Sequence, residues 1–261
     1  MTPTALTIAG SDPSGGAGIQ ADLKTFSALK VYGMTVITAL TAQNTIGVSS
    51  VTAVASAAVA AQLDAVITDI RPMAVKTGML FSKDIVETVS AKIRQHSLSN
   101  LVVDPVMTAS TGSRLLQSDA TDAMCRLLLP LALIVTPNLD EASVLSGIQV
   151  RSLSDMEGAA ILIQKTGPKH VLIKGGHLEG DAVDVFFDGK EMVHLTGARI
   201  ATEDWHGTGC VLSAAIAGYL ARGESLVDAV RLSKGFVTEA IRNGLRLGAG
   251  RGPCDPLGIQ L

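Results

Sequence analysis

Aromatic residues and charged residues are both scarce in this chain of 261 residues. Only 3% of the residues are aromatic and 17% are charged, whereas 47% are hydrophobic. A chain with so much apolar and so little charged side chain collapses into a core, which excludes a disordered protein. The 21 basic and 24 acidic residues give a net charge of -3, so overall charge does not favour binding to DNA, RNA or an anionic membrane. An anionic ligand would therefore need a local binding site.

Cysteines are few, and long apolar runs are absent. Cys125, Cys210 and Cys254 are too widely spread for a disulfide framework, and no Cys-x-x-Cys pair or His/Cys cluster indicates zinc. The longest apolar stretches, such as residues 127–135, fall short of the roughly 18 to 20 residues that cross a bilayer. The first basic side chain is Lys24, so the start lacks the charged region of a secretory signal. We expect a cytoplasmic protein with no membrane association.

Short runs rich in Val and Ile alternate with longer segments of helical period, which is typical of β-α-β units around a mostly parallel sheet. Six strands are predicted at residues 5–9, 36–42, 74–76, 101–104, 133–136 and 171–174. Residues 181–187 and 190–195 predict an antiparallel hairpin at the sheet edge, with Asp188-Gly189 in a type I′ turn. No linker or internal repeat interrupts the pattern, so we expect one domain over residues 1–261.

Three segments carry signals for the start of a helix. Ser82 is predicted to cap a helix that runs to about residue 96, whose apolar side chains share one face. Two further pairs have the spacing of a capping box, Ser154 with Glu157 and Ser225 with Asp228.

Polar or glycine-rich sequence follows most of the predicted strands, at residues 10–16, 43–44, 77–78, 104–105, 137–138 and 175–177. Ligands of open α/β sheets bind outside the carboxyl ends of the strands, so these segments are expected to line one site. The first segment is not a Walker A loop, because Gly16-Ala17 stands where Lys followed by Ser or Thr is required. A dinucleotide fingerprint over residues 16–21 lacks both the adjoining strand and the acidic ribose partner.

Residues 206–210, His-Gly-Thr-Gly-Cys, precede a segment of helical period. Two glycines allow successive N–H groups to converge at a helix start, which favours an anion such as a phosphoryl group. The alternative is a structural glycine turn. Such N–H groups would favour the thiolate of Cys210, as a base or a nucleophile, although a free cysteine can equally be a small buried apolar residue. His206 is expected to be a hydrogen-bonded structural residue without a catalytic role.

Several long segments resemble the ribokinase-like superfamily and, within it, the hydroxymethylpyrimidine/phosphomethylpyrimidine kinases of thiamine biosynthesis. They are residues 5–26, 38–45, 76–79, 103–107, 136–142, 174–177 and 206–210. The resemblance implies a ribokinase-like three-layer α/β/α sandwich with a mostly parallel central sheet and an antiparallel edge hairpin. It also implies Mg²⁺-dependent phosphorylation, by ATP, of 4-amino-5-hydroxymethyl-2-methylpyrimidine and then of its monophosphate, by a homodimer.

The resemblance assigns roles to individual residues. The catalytic residues would be Cys210, Gly207, Thr208 and Gly209. The pyrimidine would contact Gln43, Gly10, Asp22, Met79 and Val106. The nucleotide would contact Lys174, Asn138 and Glu141, and the metal would be held by Asp104 and Glu141. Chemistry supports one of these roles independently, because the amide of Gln43 can pair with the amino group and a ring nitrogen of an aminopyrimidine.

From the residues alone, several of these side chains have a simpler interpretation. Met79 and Val106 fit a hydrophobic core equally well, and Lys174 before two glycines fits a surface turn. Asn138 with Glu141 fits a solvated helix start.

The chain departs from the family pattern in two places. Asp204-Trp205 stands where relatives commonly have Asn-Thr, and Val211 stands where Thr is common. We expect Trp205, the only tryptophan, to lie near the nucleotide. Cys210 also stands where the sugar-kinase relatives usually carry Asp.

Three alternative functions are consistent with parts of the sequence. The nearest is a pyridoxal or pyridoxine kinase, alone or as a second activity, because its substrate is a similar flat ring with a hydroxymethyl group. A non-catalytic small-molecule binding protein would not need Asp104, Glu141, Lys174 and the glycine loop. A dinucleotide oxidoreductase has the least support.

Overall fold

The structure is a computed structural model that describes residues 1–109, 112, 115–176, 178 and 180–259. The nine strands of its central sheet are β1 (Thr4–Ser11), β2 (Tyr32–Gln43), β3 (Val48–Ala53), β4 (Ala74–Thr77), β5 (Leu101–Val103), β6 (Ile134–Val135), β7 (His170–Ile173), β8 (Ala182–Phe187) and β9 (Met192–Gly197). Their order across the sheet is β3-β2-β1-β4-β5-β6-β7-β8-β9.

The middle of this sheet is parallel and both of its ends are antiparallel. Strands β2, β1, β4, β5, β6 and β7 run in one direction. β3 pairs antiparallel with β2 at one edge, and the hairpin β8–β9 forms the other edge. The predicted mostly parallel sheet and antiparallel edge hairpin are therefore confirmed.

Helices cover both faces of the sheet. They are α1 (Gly18–Ala28), α2 (Ser56–Asp69), α3 (Lys83–Gln95), α4 (Ser118–Ala123), α5 (Leu139–Ser146), α6 (Leu153–Gln164), α7 (Thr208–Ala221) and α8 (Leu226–Arg242), with a π-helical turn at Met124–Leu128 and a 3₁₀ turn at Leu129–Leu131. Helices α1, α7 and α8 pack on one face, and α2 to α6 pack on the other. No helix within the described residues is long and apolar enough to cross a bilayer.

Alternation along the strands produces the two cores. In β1, Ala5 belongs to the core beneath α1 and α7, whereas Leu6 belongs to the core on the opposite face. In β5, Val102 and Val103 divide in the same way. Because successive side chains of a strand point to opposite faces, a strand that is covered on both sides is mostly apolar. The buried Thr7 of β1 is polar, and its hydroxyl donates to Asp22.

The predicted start of a helix is at the correct residue in two cases and at the wrong residue in one. Ser225 caps α8 by accepting a hydrogen bond from the Asp228 N–H at 3.2 Å, and Ser82 occupies the cap position of α3 without a side-chain hydrogen bond. The predicted box of Ser154 with Glu157 is wrong. Helix α6 begins two residues earlier, capped by a reciprocal box of Ser152 and Asp155.

The turn of the edge hairpin also differs from the prediction. A type I′ turn needs positive φ at both central residues, but of Asp188 and Gly189 only Gly189 has it, at +97°. The loop spans four residues instead of two, and the Asp188 carboxylate accepts hydrogen bonds from the N–H groups of Lys190 and Glu191. An aspartate that binds the backbone two residues on supplies the turn without left-handed geometry of its own.

Strand β3 is not among the predicted strands. Its sequence, Val-Ser-Ser-Val-Thr-Ala, is largely exposed at the sheet edge and lacks the apolar run that marked the other strands.

Candidate active site

The carboxyl ends of the parallel strands open into one cavity of about 1080 Å³. Twelve of the thirteen predicted site residues line it, namely Gly10, Gln43, Met79, Asp104, Val106, Asn138, Glu141, Lys174, Gly207, Thr208, Gly209 and Cys210. The predicted strand-end residue His177 lies outside the described residues. Residues that are up to 200 positions apart in the sequence therefore lie in one cavity at the strand ends, as predicted.

Asp22 is the predicted site residue that lies behind the cavity wall. It is fully buried, and its carboxylate accepts hydrogen bonds from Lys76 Nζ at 2.7 and 2.8 Å and from the Thr7 hydroxyl at 2.5 Å. Lys76, at the end of β4, does line the cavity. Burial alone would lower the pKa of Lys76, but the carboxylates of Asp22 and Asp104 raise it overall, so this lysine stays charged. The geometry gives Asp22 the position of a partner to Lys76.

An acidic pair and a lysine meet at the ends of β5, β6 and β7. Lys174 Nζ lies 2.9 Å from Asp104 Oδ1 and 3.9 Å from Glu141 Oε2. The hydroxyl of Ser213, from α7, donates to Asp104 Oδ2 at 3.1 Å. Burial and the neighbouring Asp104 carboxylate raise the pKa of Glu141 to about 7, although Lys174 opposes them. Bringing another cation to this cluster would stabilise both carboxylates in their charged form.

Glu141 is held in place by the start of α5. Its Oε2 accepts from the Asn138 N–H at 2.8 Å, and Asn138 Oδ1 accepts from the Glu141 N–H at 2.9 Å, which is a capping box. The interpretation of Asn138 and Glu141 as a helix start was therefore correct. They are not a solvated one, because Glu141 is only 5% exposed and faces the cavity.

The donor set fits Mg²⁺ better than zinc. Within the described residues, no group of three or more His, Cys, Asp or Glu side chains is placed to hold a metal ion. Two carboxylates are nevertheless sufficient for Mg²⁺, which prefers oxygen ligands and usually keeps waters and substrate phosphates in its shell.

The glycine loop at the start of α7 has the backbone geometry of an anion site. Gly207 caps the helix with φ +83°, and a Cβ atom there would lie 1.8 Å from the Gly16 carbonyl oxygen. Only glycine fits this close approach. A Cβ on Gly209 would lie 3.2 Å from Lys174 Nζ, so the helix N-terminus and the lysine face the same space. The positive end of the helix and the ammonium group together favour a phosphoryl group there.

Cys210 lines the cavity one residue further along, but its charge state differs from the prediction. Burial raises the pKa of the Cys210 thiol to about 11, although Lys76 and the Gly18 N–H oppose the shift. The expectation that the glycine loop favours the thiolate is therefore wrong for the protein without ligands. The free energy lost when the thiolate is removed from water exceeds the stabilisation that the Gly18 N–H and Lys76 provide.

One part of the cavity wall is apolar. Met79 is buried in a small core cluster with Ala39 and Leu115, and Val106 packs against this cluster. The core interpretation and the cavity interpretation of Met79 and Val106 are thus both correct. Gly10 lies beside them, and a Cβ at this position would approach the Met79 sulfur to 3.0 Å and push this side chain aside.

Part of the cavity lining was not predicted from the sequence. It consists of residues of the segment after β9 and of α8, among them Ala198, Ile200, Thr238 and Ile241. These small and apolar side chains carry no motif, so only the fold reveals them. Trp205 also lines the cavity, and the Arg251 guanidinium lies over its ring at 4.2 Å from the centroid.

A mostly parallel sheet whose strands end at an acidic pair, a lysine and a glycine-flanked helix N-terminus defines a small-molecule kinase of the ribokinase-like class. The family model described as phosphomethylpyrimidine kinase matches residues 12–255. The chain belongs to this family.

Known proteins agree with this assignment. A hydroxymethylpyrimidine/phosphomethylpyrimidine kinase of Rhizobium meliloti (strain 1021) is 51% identical over 257 residues, which cover 97% of this chain and 96% of the relative. A solved phosphomethylpyrimidine kinase from Clostridium difficile 630 is 46% identical, with a TM-score of 0.81 over 91% of this chain and 99% of that chain. A pyridoxal kinase from Staphylococcus aureus in complex with AMP-PCP and pyridoxal is 40% identical, with a TM-score of 0.92 over 98% of this chain and 94% of that chain.

Proposed function

We propose that this chain transfers a phosphoryl group from ATP to the 5-hydroxymethyl group of 4-amino-5-hydroxymethyl-2-methylpyrimidine, and then a second one to the resulting monophosphate, in thiamine biosynthesis. One observation carries the proposal. The amide of Gln43, the thiol of Cys210 and the anion site at Gly207 line a single cavity together with Lys174 and Asp104. Acceptor recognition and phosphate stabilisation are thus found in the same space.

The acceptor end of the cavity suits a flat aminopyrimidine. Met79 and Val106 supply apolar surface for the ring, and Gln43 supplies a donor and an acceptor for its polar edge. The missing Cβ of Gly10 leaves room beside Met79. Asp22 is proposed to act through Lys76 in this site, since its own carboxylate faces Lys76 and Thr7.

At the reacting centre, the start of α7 at Gly207, Thr208 and Gly209 lines the cavity, and we propose that its positive end stabilises the transferring phosphoryl group. Phosphoryl transfer passes through a loose transition state, so positioning and charge stabilisation matter more than a strong base. Lys174 adds a fixed positive charge, which its carboxylate neighbours maintain by raising its pKa despite burial. Only the thiolate form of Cys210 can accept the hydroxyl proton, so we expect the first phosphorylation to use the small fraction of this form.

Asp104 and Glu141 would hold Mg²⁺, with Asn138 orienting Glu141. The ion would neutralise charge on the phosphates of ATP. Asp104 is held for this role by Lys174 and Ser213, which fix its two oxygens in different directions.

Pyridoxal kinase activity is the second candidate, and a specific likeness favours it. The Staphylococcus aureus kinase that binds pyridoxal shares the fold over nearly the whole chain. A pocket for a flat ring rejects a similar ring by only about 10- to 200-fold when few contacts differ. We therefore propose pyridoxal as a poorer, second substrate.

We further propose a single ribokinase-like domain over residues 1–261, a cytoplasmic location and a homodimer. The single domain is supported by the sheet, which includes strands from Thr4 to Gly197 and is covered by α7 and α8. The location and the homodimer rest on the family resemblance.

The experiment that tests the proposed function compares ADP release with three acceptors: hydroxymethylpyrimidine, its monophosphate and pyridoxal. We expect kcat/KM to be highest for the two pyrimidines, because Gln43 matches their polar edge. Turnover of pyridoxal alone would overturn the assignment.

A further inference from the structure

His206 links the glycine loop of the anion site to the substrate amide. Its ring is buried, and its Nε2 lies 3.0 Å from Asp12 Oδ2 and 3.4 Å from Gln43 Nε2. The other end of the same amide, Gln43 Oε1, lies 3.3 Å from the Thr41 hydroxyl. That hydroxyl lies 3.0 Å from the carbonyl oxygen of Ser11. A continuous chain of polar groups therefore runs from Asp12 through His206 and Gln43 to Ser11.

Asp12 determines which nitrogen of His206 carries a proton. Burial raises the pKa of Asp12, but hydrogen bonds from His206 and Ser14 outweigh it and lower the pKa overall, so the carboxylate is charged at neutral pH. It also accepts from the Ser14 and Ala17 N–H groups, each at 2.9 Å. A charged carboxylate only accepts hydrogen bonds. His206 must therefore carry a proton on Nε2 and donate it to Asp12.

This tautomer decides the orientation of the Gln43 amide. An N–H at His206 Nε2 cannot accept, so a Gln43 NH₂ group opposite it would bring two donors together. At the other end of the amide, the Thr41 hydroxyl has one proton and two possible acceptors, the Ser11 carbonyl at 3.0 Å and the Gln43 oxygen at 3.3 Å. If the proton goes to the nearer Ser11 carbonyl, the Gln43 oxygen faces the Thr41 oxygen with no proton between them. Turning the amide by 180° exchanges its oxygen and nitrogen in place and removes both conflicts. His206 then shares its Nε2 proton between Asp12, the nearer acceptor at 3.0 Å, and the Gln43 oxygen, in the position 3.4 Å away. Gln43 donates to Thr41, and Thr41 donates to Ser11.

We propose that His206 is a positioning residue that fixes the Gln43 amide with its oxygen toward His206 and its NH₂ group toward Thr41, and thereby sets the direction of the substrate ring. This inference rests on the proposed function. The amino group of an aminopyrimidine pairs with the amide oxygen, and the adjacent ring nitrogen pairs with the NH₂ group. The hydroxymethyl group adjoins the carbon that bears the amino group. An amino group on the His206 side therefore brings the hydroxymethyl group toward Gly207 and the anion site, and the opposite amide orientation would turn it away.

The first test reads the tautomer directly in the protein without ligands. Long-range ¹H–¹⁵N correlation spectra distinguish a proton on Nε2 from one on Nδ1, and the His206 signals are assigned by their absence in a His206→Gln variant. We expect a proton on Nε2 at neutral pH. A neutral ring protonated only on Nδ1 would overturn the proposal, whatever the substrate of the enzyme is.

The second test uses two substitutions of His206 that differ in one donor. In His206→Gln, the side-chain NH₂ group can replace the Nε2 donor, whereas His206→Leu has none. We expect His206→Leu to raise KM for the pyrimidine about tenfold, the effect of one lost hydrogen bond, while KM for ATP changes less than about twofold. His206→Gln is expected to keep KM for the pyrimidine close to the wild-type value. Equal increases in both KM values, or none, would overturn the positioning role and indicate a purely structural histidine.

These outcomes are distinguishable from failure of the proposed function. If the wild-type enzyme does not phosphorylate the pyrimidine, the functional assignment fails, whereas the tautomer spectrum still decides the hydrogen-bond chain. If the His206→Leu chain does not fold, the tautomer spectrum of the wild-type protein and the KM of His206→Gln decide the proposal. A proton on Nδ1 alone, or a tenfold increase in pyrimidine KM for His206→Gln, would each contradict it.

Discussion

Cys210 shows how burial can reverse an expectation that is based on neighbouring groups. Lys76 and the Gly18 N–H both favour a negative charge on its sulfur, yet burial raises the pKa of the thiol to about 11. The same residue therefore has the right place for a base and the wrong charge for most of the time at neutral pH. Its contribution is expected to depend on how much the acceptor needs a base.

Substituting Cys210 by alanine separates the two phosphorylation steps. The hydroxymethyl acceptor must lose a proton, whereas the monophosphate acceptor is already ionised at neutral pH. We expect Cys210→Ala to slow the first step about 100-fold, the lower range for loss of a general base, and the second step less than about tenfold. Steady-state rates measured separately with the two acceptors test this, and equal losses would contradict the base role.

The high pKa also predicts how Cys210 reacts with an alkylating agent. A raised pKa keeps most of the thiol protonated at pH values below about 11, and only the thiolate reacts. The rate of modification by iodoacetamide, followed by mass spectrometry of the Cys210 peptide, is therefore expected to keep rising up to about pH 10.

A small free thiol serves as the control for this measurement, because its rate levels off near its ordinary pKa of about 8.5. A Cys210 rate that reaches a plateau below pH 8 would show that the thiolate is favoured after all.

Two helices that start with the same kind of cap allow stability and function to be separated. Helix α5 begins with the box of Asn138 and Glu141, and α6 begins with the box of Ser152 and Asp155. Only the first box lies at the cavity. The cap of α6 is exposed, and neither of its residues lines the cavity.

Replacing each cap residue by alanine is expected to lower the free energy of unfolding by about 1 kcal/mol. Asn138→Ala is also expected to reduce kcat/KM for ATP by roughly tenfold, because the Glu141 N–H loses its acceptor and the first turn that positions the Glu141 carboxylate loosens. Ser152→Ala, the matched control, is expected to leave kcat/KM unchanged. Chemical denaturation and initial rates measure the two effects, and an equal loss of activity in both variants would contradict the role of Asn138.

The strands could be predicted because both of their faces are buried. Ala5, Leu6 and Ile8 in β1 are all buried, although they point to both faces of the sheet, and such a pattern is not expected of a surface segment. Strand β3 escaped prediction for the opposite reason, since Ser49, Ser50 and Thr52 are exposed at the edge. Edge strands are defined by the partner strand and carry little signal of their own.

The candidate site could be predicted where a residue with a distinctive side chain also follows a predicted strand. Gln43, Asp104 and Lys174 follow strands, and the rule that ligands bind at strand ends brought them into one cavity. Ala198 and Ile241 could not be found, because small apolar side chains have no chemical signature. The charge of Cys210 could not be predicted from its neighbours in sequence, because its pKa depends on burial and on Lys76 of strand β4.

At the scale of the whole molecule, one cavity has to hold both the nucleotide and the acceptor. Trp205 lines this cavity directly before the glycine loop, with Arg251 over its ring. We expect ATP binding to change the tryptophan emission, because the ring would sense the phosphates or a shift of the Arg251 guanidinium. Since Trp205 is the only tryptophan, a fluorescence titration reports this site alone. Emission that stays constant at saturating ATP would contradict the expected position.

The small net charge of -3 also becomes understandable at this scale. A protein that binds ATP without a general positive field must use local groups. Lys174, Lys76 and the N-terminus of α7 supply positive charge within the cavity, and Asp104 with Glu141 can add that of a bound Mg²⁺. In a sequence with few charged residues, the positive charge for the phosphates thus comes from a few groups within the cavity.

The central claim is that this one cavity phosphorylates the same pyrimidine twice. ³¹P NMR of a reaction with hydroxymethylpyrimidine and excess ATP tests it most directly. The account predicts a monoester signal that rises and then falls as the two coupled signals of a diphosphate appear, with two ADP formed per pyrimidine. A monoester signal that stays constant at one ADP per pyrimidine would contradict it.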